Sequence, residues 1–188
     1  RDTDRSRGLG DVYKRQEKGE PKSCNIVTSC EGKGKTFIMF SDDLDKALAT
    51  FVLANGAAAT GQKVTIFFTF WGLNVIKKLH KPNVEKDIFG KMFGMMLPSS
   101  SRKLKLSKMS MGGIGGKMMR YIMNRKGIDS LESLRQQALE NGVEFIACQM
   151  SMDVMGVKQE ELLDEVTIGG VATYMERADN ANINLLSL

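Results

Sequence analysis

One thiol stands where a sheet would present it. The stretch Val143-Glu144-Phe145-Ile146-Ala147-Cys148-Gln149-Met150-Ser151-Met152-Asp153 reads as an apolar strand that runs into a cysteine and then into a polar, methionine-bearing loop. A cysteine inside a strand is inert packing, whereas one where a strand ends can be held by the sheet and reached by a partner. The chemistry open to such a thiol is nucleophilic attack, thiol exchange or sulfur transfer. A hydrolase would add a positioned base. The single histidine, His80, falls beside Lys81-Pro82 in a polar turn, so exchange or transfer fits better. The competing reading is a buried structural cysteine. Cys24 and Cys30 form a C-x5-C pair in a Ser/Thr/Gly/Lys-rich linker with no second pair, a poor zinc site; they read as a redox pair or as incidental linker thiols.

The elements that must position Cys148 follow from the apolar periodicity. Thr36 to Phe40 is a buried-type strand, and Ser41-Asp42-Asp43 leads into a helix cap. Leu44, Leu48, Phe51, Val52 and Ala59 recur at helical steps, with Gly61 as the stop. Val64 to Phe68 is a second strand, which makes a βαβ unit and so a parallel sheet. Asn74 to Leu79 is predicted as a short helix. Asp129-Ser130-Leu131-Glu132 reads as a capping box before a helix through Leu134, Ala138 and Leu139, closed by Asn141-Gly142. After the Cys148 strand come a helix over Lys158 to Leu163, a strand at Val166-Thr167-Ile168, a helix opened by Gly169-Gly170, and a short terminal strand at Ile183 to Leu186. The expected fold is α/β: three layers, doubly wound, with a mostly parallel sheet of about five strands and a Met-rich helical insert.

In such a sheet the ligand crevice lies at the carboxyl ends of the strands. That rule gathers Asp42, Trp71, Cys148 with Gln149 and Ser151, and Gly169 with Gly170. Helix amino ends there favour negative charge and would stabilise a thiolate or a persulfide anion. Trp71, the sole tryptophan, is either core or a pocket wall.

Residues 1–34 form a charge-dense segment and linker expected to be disordered, with 1–16 set aside as extraneous to the fold and the chain read as a fragment. The domain is 35–188, with the insert at about 85–126. Three of 188 residues are cysteine, an odd number that suits a reducing cytoplasm better than a disulfide framework. The longest apolar stretch, Val64 to Ile76, is shorter than the roughly 18–20 residues that span a bilayer, so a soluble protein is expected.

The net charge of +5 conceals an asymmetry: Lys91 to Ile128 carries nine Lys or Arg and no Asp or Glu. Eight of the 13 methionines fall in the same insert, in two helical stretches around Pro98-Ser99-Ser100-Ser101. Such a surface suits core packing, variable partners, a subunit interface or a lipid face. Peripheral membrane contact through 91–126 and a non-catalytic interaction module are accordingly the alternative to thiol chemistry. Gly112-Gly113-Ile114-Gly115-Gly116 does not follow a strand and is rejected as a dinucleotide loop. No cofactor, metal or nucleic-acid site is read.

Four ordered motifs resemble the DsrE/DsrF/DsrH-like sulfur-relay family: Phe68-Thr69-Phe70-Trp71-Gly72-Leu73-Asn74, Lys108 to Gly113, Ala147 to Gly156, and Ile168-Gly169-Gly170-Val171-Ala172. The nearest branch is similar to the C-terminal domain of coenzyme A disulfide reductase-like proteins. The resemblance covers about Lys35 to Leu188. It implies a small, usually oligomeric α/β sulfur carrier or sulfurtransferase whose cysteine accepts sulfur as a persulfide or thiosulfonate from a rhodanese or a TusA-like protein and passes it on. By motif match only Cys148 carries over.

Overall fold

The computed structural model describes residues 34–79, 98, 100–108 and 114–187, all within the unit Gly32–Leu188. His80, Cys24, Cys30, residues 1–33 of the expected linker 1–34 and the first helical stretch of the insert lie outside the described residues, and Gly34, placed in that linker, opens the first strand.

Five strands form one sheet: β1 (Gly34–Met39), β2 (Val64–Phe68), β3 (Glu144–Cys148), β4 (Thr167–Gly169) and β5 (Ala181–Ser187). Their order is β4-β3-β2-β1-β5 and every pairing is parallel. The chain steps outward from β1 to β4, then crosses back to lay β5 on the other side of β1. The α-helices among the described residues are α1 (Leu44–Ala59), α2 (Ile114–Arg125), α3 (Leu131–Glu140), α4 (Gln149–Met155) and α5 (Val171–Asp179).

Strand alternation sorts the side chains onto two faces. Phe37, Met39, Ile66, Phe68, Phe145 and Ala147 point to a large core that α1, α3 and α4 cover, through Leu44, Phe51, Leu131, Leu134, Met152 and Met155 among others. Phe67, Ile146 and Cys148 point the other way, to a small cluster closed by Tyr174 of α5 and flanked by Ile38 and Ala178. The result is the three-layer, doubly wound domain expected.

Several local expectations change. Val52 and Ala59 turn outward on α1, whose buried stripe runs through Leu44, Ala47, Phe51 and Ala54. The cap of α3 is Ser130, whose hydroxyl accepts from the Ser133 amide at 3.1 Å. Glu132 falls in the first turn instead of at the third helical position, and it meets Ser101 and Arg120. The helix expected at 74–79 is a 3-10 helix four residues earlier, Phe70–Ile76, ended by the buried Arg135, which donates to the carbonyls of Val75 and Lys77. The stretch 158–163 makes only one 3-10 turn, Gln159–Glu161, because Leu162 leaves it to bridge antiparallel with Lys77. Within the insert, the described part is a 3-10 turn Ser101–Lys103 and α2.

Candidate functional site

The carboxyl ends of β1 and β2 meet first. After β1, the Ser41 hydroxyl donates to Asp43 at 2.8 Å and accepts its amide at 3.2 Å, and Lys46 pairs with the same carboxylate at 2.8 Å. Asp43 occupies the N-cap of α1 but makes no side-chain cap hydrogen bond, both partners meeting its Oδ2. Asp42 turns to the 3-10 helix after β2, where the Asn74 side-chain amide donates to it at 3.1 Å. Burial raises the Asp42 carboxyl above its ordinary value, and the Asn74 hydrogen bond and the Lys77 charge pull in the opposite direction. Asn74 is fully buried with its Oδ1 unpartnered.

That 3-10 helix is pressed hard onto the end of β1. The Gly72 amide donates to the Phe40 carbonyl at 3.0 Å, and a methyl group placed on Gly72 would lie 2.1 Å from the Met39 carbonyl oxygen. No side chain fits there. Phe70 enters the turn at φ 46°, the one positive value at a non-glycine among the described residues, a conformation that costs energy and has to be held by its surroundings. Its ring lies 5.3 Å from that of Phe40. Trp71, either core or pocket wall by its sequence, is 41% exposed on the outer side of this turn.

The ends of β2 and β3 are tied by Thr69 and Ser151, both buried, whose hydroxyls are 2.8 Å apart. Cys148 is the last residue of β3 and the N-cap of α4. Its register partner on β4 is Gly169, so the glycine pair and the amino end of α5 follow directly beside it. A methyl group on Gly169 would come 2.9 Å from Cγ2 of Ile146, the neighbour of Cys148 on that face. Gly170, the N-cap of α5, has open space around it.

The thiol is therefore placed at a strand end, as expected, but it is not open to the crevice. Cys148 is 2% exposed, packed with Phe67, Ile146 and Tyr174. The reason is parity. Counting back from the strand end, Cys148 shares its face with Ile146, toward α5, whereas Asp42 with Asn74 and Ser151 with Thr69 belong to the side that α1 and α4 cover. Of the residues expected around one crevice, the structure joins Asp42 to the β2 end and Ser151 to the β2 end, sets Gly169 beside Cys148, and leaves Trp71 and Gln149 facing outward. Gln149 bonds only along its own helix, to Asp153.

The residue missed in the sequence is Tyr174. Its ring stacks on Phe67 at 5.1 Å, and its hydroxyl lies 3.2 Å from that of Thr36, which in turn bonds Asn184 on β5. Its signal was only a position four residues after Gly170 on an amphipathic helix. Asn74 and Thr69 were missed as well, although both lie inside the motif quoted above. The three methionines after Cys148 divide: Met152 and Met155 fill the large core and Met150 is exposed. Among the described residues no group of three or more His, Cys, Asp or Glu gathers at metal-binding distance.

A five-stranded parallel sheet with a cysteine at the end of β3, covered on that face by α5 among the described residues, defines a small doubly wound α/β domain. The model of the DsrE/DsrF/DrsH-like family matches residues 32–186, and the chain belongs to that family. It is 43% identical over 153 residues to the uncharacterized protein YrkE of Bacillus subtilis, covering 81% of this chain and 96% of that protein. It is 38% identical over 159 residues to the sulfur carrier protein DsrE2 of Allochromatium vinosum, covering 82% and 98%. Among solved structures it is similar to the ychN protein of E. coli, 11% identical with a TM-score of 0.48 over 82% of this chain and 98% of that one.

Proposed function

We propose that this protein is a cytoplasmic sulfur carrier that accepts sulfur on Cys148 and hands it to a protein partner. The observation that carries the reading is Cys148 itself: a free thiol at the end of β3, on the thinly covered face of a domain whose family includes a protein named as a sulfur carrier. In the transfer, the Cys148 thiolate attacks the outer sulfur of a donor persulfide. The donor's S–S bond breaks, the donor leaves as a thiolate, and Cys148 holds the persulfide with no net change in oxidation. A thiosulfonate adduct on the same sulfur is the variant form, and a rhodanese or a TusA-like protein is the class of donor that fits. The donor thiolate that leaves takes up the proton that Cys148 gives up, so the transfer balances without a further base, oxidant or reductant.

Burial sets one condition on this chemistry: the roof must open. Tyr174 is the part that has to move, and the open space at Gly170 lies at the hinge end of α5. Exposed Val171 and Met175 on α5 and Met150 and Val154 on α4 are apolar groups that a docking partner could cover while α5 shifts. The test is intact mass after incubation with thiosulfate and a rhodanese, before and after reduction. The expected result is a reducible adduct of one or more sulfur atoms that disappears in Cys148→Ser. The reading fails if no adduct forms, or if the adduct persists in that variant.

A further inference from the structure

Helix α2 presents two unlike sides. Its inner side is anchored: Gly115, Gly116 and Met123 are buried, Met119 packs on the large core, and Arg120 donates to the Ser101 carbonyl at 3.0 Å and faces Glu132 at 3.5 Å. Its outer side carries Ile114, Met118, Tyr121 and Ile122, a stripe at steps of four, three and one, with 65%, 48%, 65% and 38% of their surface open to solvent. Scattered apolar residues on a surface need no explanation, but four in one helical stripe are a contiguous patch. Lys117 and Arg125 share the exposed side and Lys126 follows at once.

The segment itself carries charge of one sign. Residues 100–108 and 114–128 contain eight Lys or Arg and no Asp or Glu, and all but Arg120 are exposed. Opposite charges are interspersed on most soluble surfaces, so a run of this kind calls for a polyanionic counterpart. The apolar stripe lies on the outer side of a single helix about 18 Å long, and the hollow beside α2, lined by Arg120, Met123, Asn124 and Ile128, takes in none of its four residues. Apart from Asn124 and the Tyr121 hydroxyl, the exposed polar groups along it are cations, so the surface offers few paired donors and acceptors that would fix a protein in register. Exposed apolar residues flanked by cations along one short helix are the features of a segment that lies in the plane of a membrane interface.

We propose that the outer face of α2 docks on an anionic lipid bilayer. Ile114, Met118, Tyr121 and Ile122 enter the boundary between headgroups and acyl chains, and Lys117, Arg125 and Lys126 meet the lipid phosphates. No described helix is long and apolar enough to cross a membrane; the contact is peripheral. It is independent of Cys148, whose face is roofed by a different helix.

The test is flotation of the full chain with phosphatidylcholine vesicles, with and without phosphatidylserine. Binding is expected only with phosphatidylserine, and it should weaken as salt rises past about 0.1 M, where the screening length falls below roughly 10 Å. Lys117→Glu with Arg125→Glu should lower the bound fraction at least about tenfold, from roughly one kcal/mol for each cation at the surface. Ile114→Ser with Met118→Ser should abolish binding at unchanged charge. Unchanged far-ultraviolet circular dichroism and thermal midpoint establish that each variant is folded; Tyr121→Ser, at a side chain mostly in solvent, serves if a double variant does not fold. No binding to phosphatidylserine vesicles overturns the proposal. So does binding insensitive to both sets of substitutions, or a fall in molar mass by light scattering when the stripe is made polar, which would show a second copy of the chain on this face.

Discussion

The two faces of the sheet are built on different scales. One is sealed by three helices and a continuous core in which Phe51, Phe68 and Phe145 pack ring against ring at 5.5 to 6.4 Å. Among the described residues the other is closed by α5, through Tyr174 and Ala178, over Phe67, Ile146 and Cys148. The thick side holds the fold. The thin side can open at a small fraction of the cost of unfolding, because few buried apolar contacts have to part. Under the proposed function the acceptor sulfur has to be hidden from water and then presented, which suits the thin side, where strand parity puts Cys148.

This contrast can be broken from either direction. The largest effect is expected on the thick side: Phe51→Ala or Phe145→Ala should cost about 3–5 kcal/mol, measured by denaturant unfolding. Native Cys148 should then react with a thiol reagent faster only in proportion to the larger unfolded fraction. Tyr174→Ala should cost less, about 2–3 kcal/mol, because the thin side collapses over the gap more easily, yet it should raise native-state labelling of Cys148 far more than its stability loss accounts for. Equal labelling in Tyr174→Ala and a core variant of the same stability would erase the distinction between the faces. Tyr174→Phe removes only the hydroxyl that meets Thr36, and should lose about 1 kcal/mol with a modest gain in labelling.

The smallest effects are electrostatic and opposite in sign on the two sides. On the thin side, Arg177 of α5 grips Glu144 at 2.9 Å and Thr65 adds a hydrogen bond, which hold the Glu144 carboxyl below its ordinary 4.5. The unfolded chain therefore takes up this proton at higher pH than the fold does. The stability so contributed is present above the ordinary carboxylate range and is lost as pH falls through the lowered folded value. On the thick side, burial raises Asp42 above 3.8, so the fold holds that proton longer than the unfolded chain and is favoured as pH falls through the raised value. In acid titrations of stability, Glu144→Gln should flatten the loss. Asp42→Asn, which keeps an acceptor for Asn74, should remove the opposing gain and raise stability slightly at neutral pH. If the two variants shift the curve in the same direction, the assignment of the two carboxyls is wrong.

Much of the scaffold was legible because its signals are local. The apolar runs Thr36 to Phe40, Val64 to Phe68 and Val143 to Cys148, with helical periods between them, are enough to specify a parallel α/β sheet, whereas the stretch after Cys148, read as a polar loop, is the helix α4. The reading of Cys148 stopped at its place along the strand. Whether the sulfur faces α4 or α5, and whether anything roofs it, depends on which crossover returns past β1, a property of topology that no neighbouring residue announces. The same limit hid Tyr174. Asp42 was picked by position, but its partner Asn74 needed the tight landing of the 3-10 helix on β1 that Gly72 permits, and the excess helix read at 158–163 ignored a bridge to Lys77 eighty-five residues earlier.

The strand order carries a consequence for how the chain is made. β1 is interior to the sheet, yet one of its neighbours is β5, with Thr36 bonded to Asn184 across 148 residues. During synthesis at roughly 5–20 residues per second, β1 therefore waits on the order of ten to thirty seconds with a free edge before its second partner exists. That nascent edge, Gly34–Met39, is a natural substrate for a ribosome-associated chaperone. It also ranks the chain among slow, long-range folders, whose yield in expression should rise when translation and temperature are both lowered.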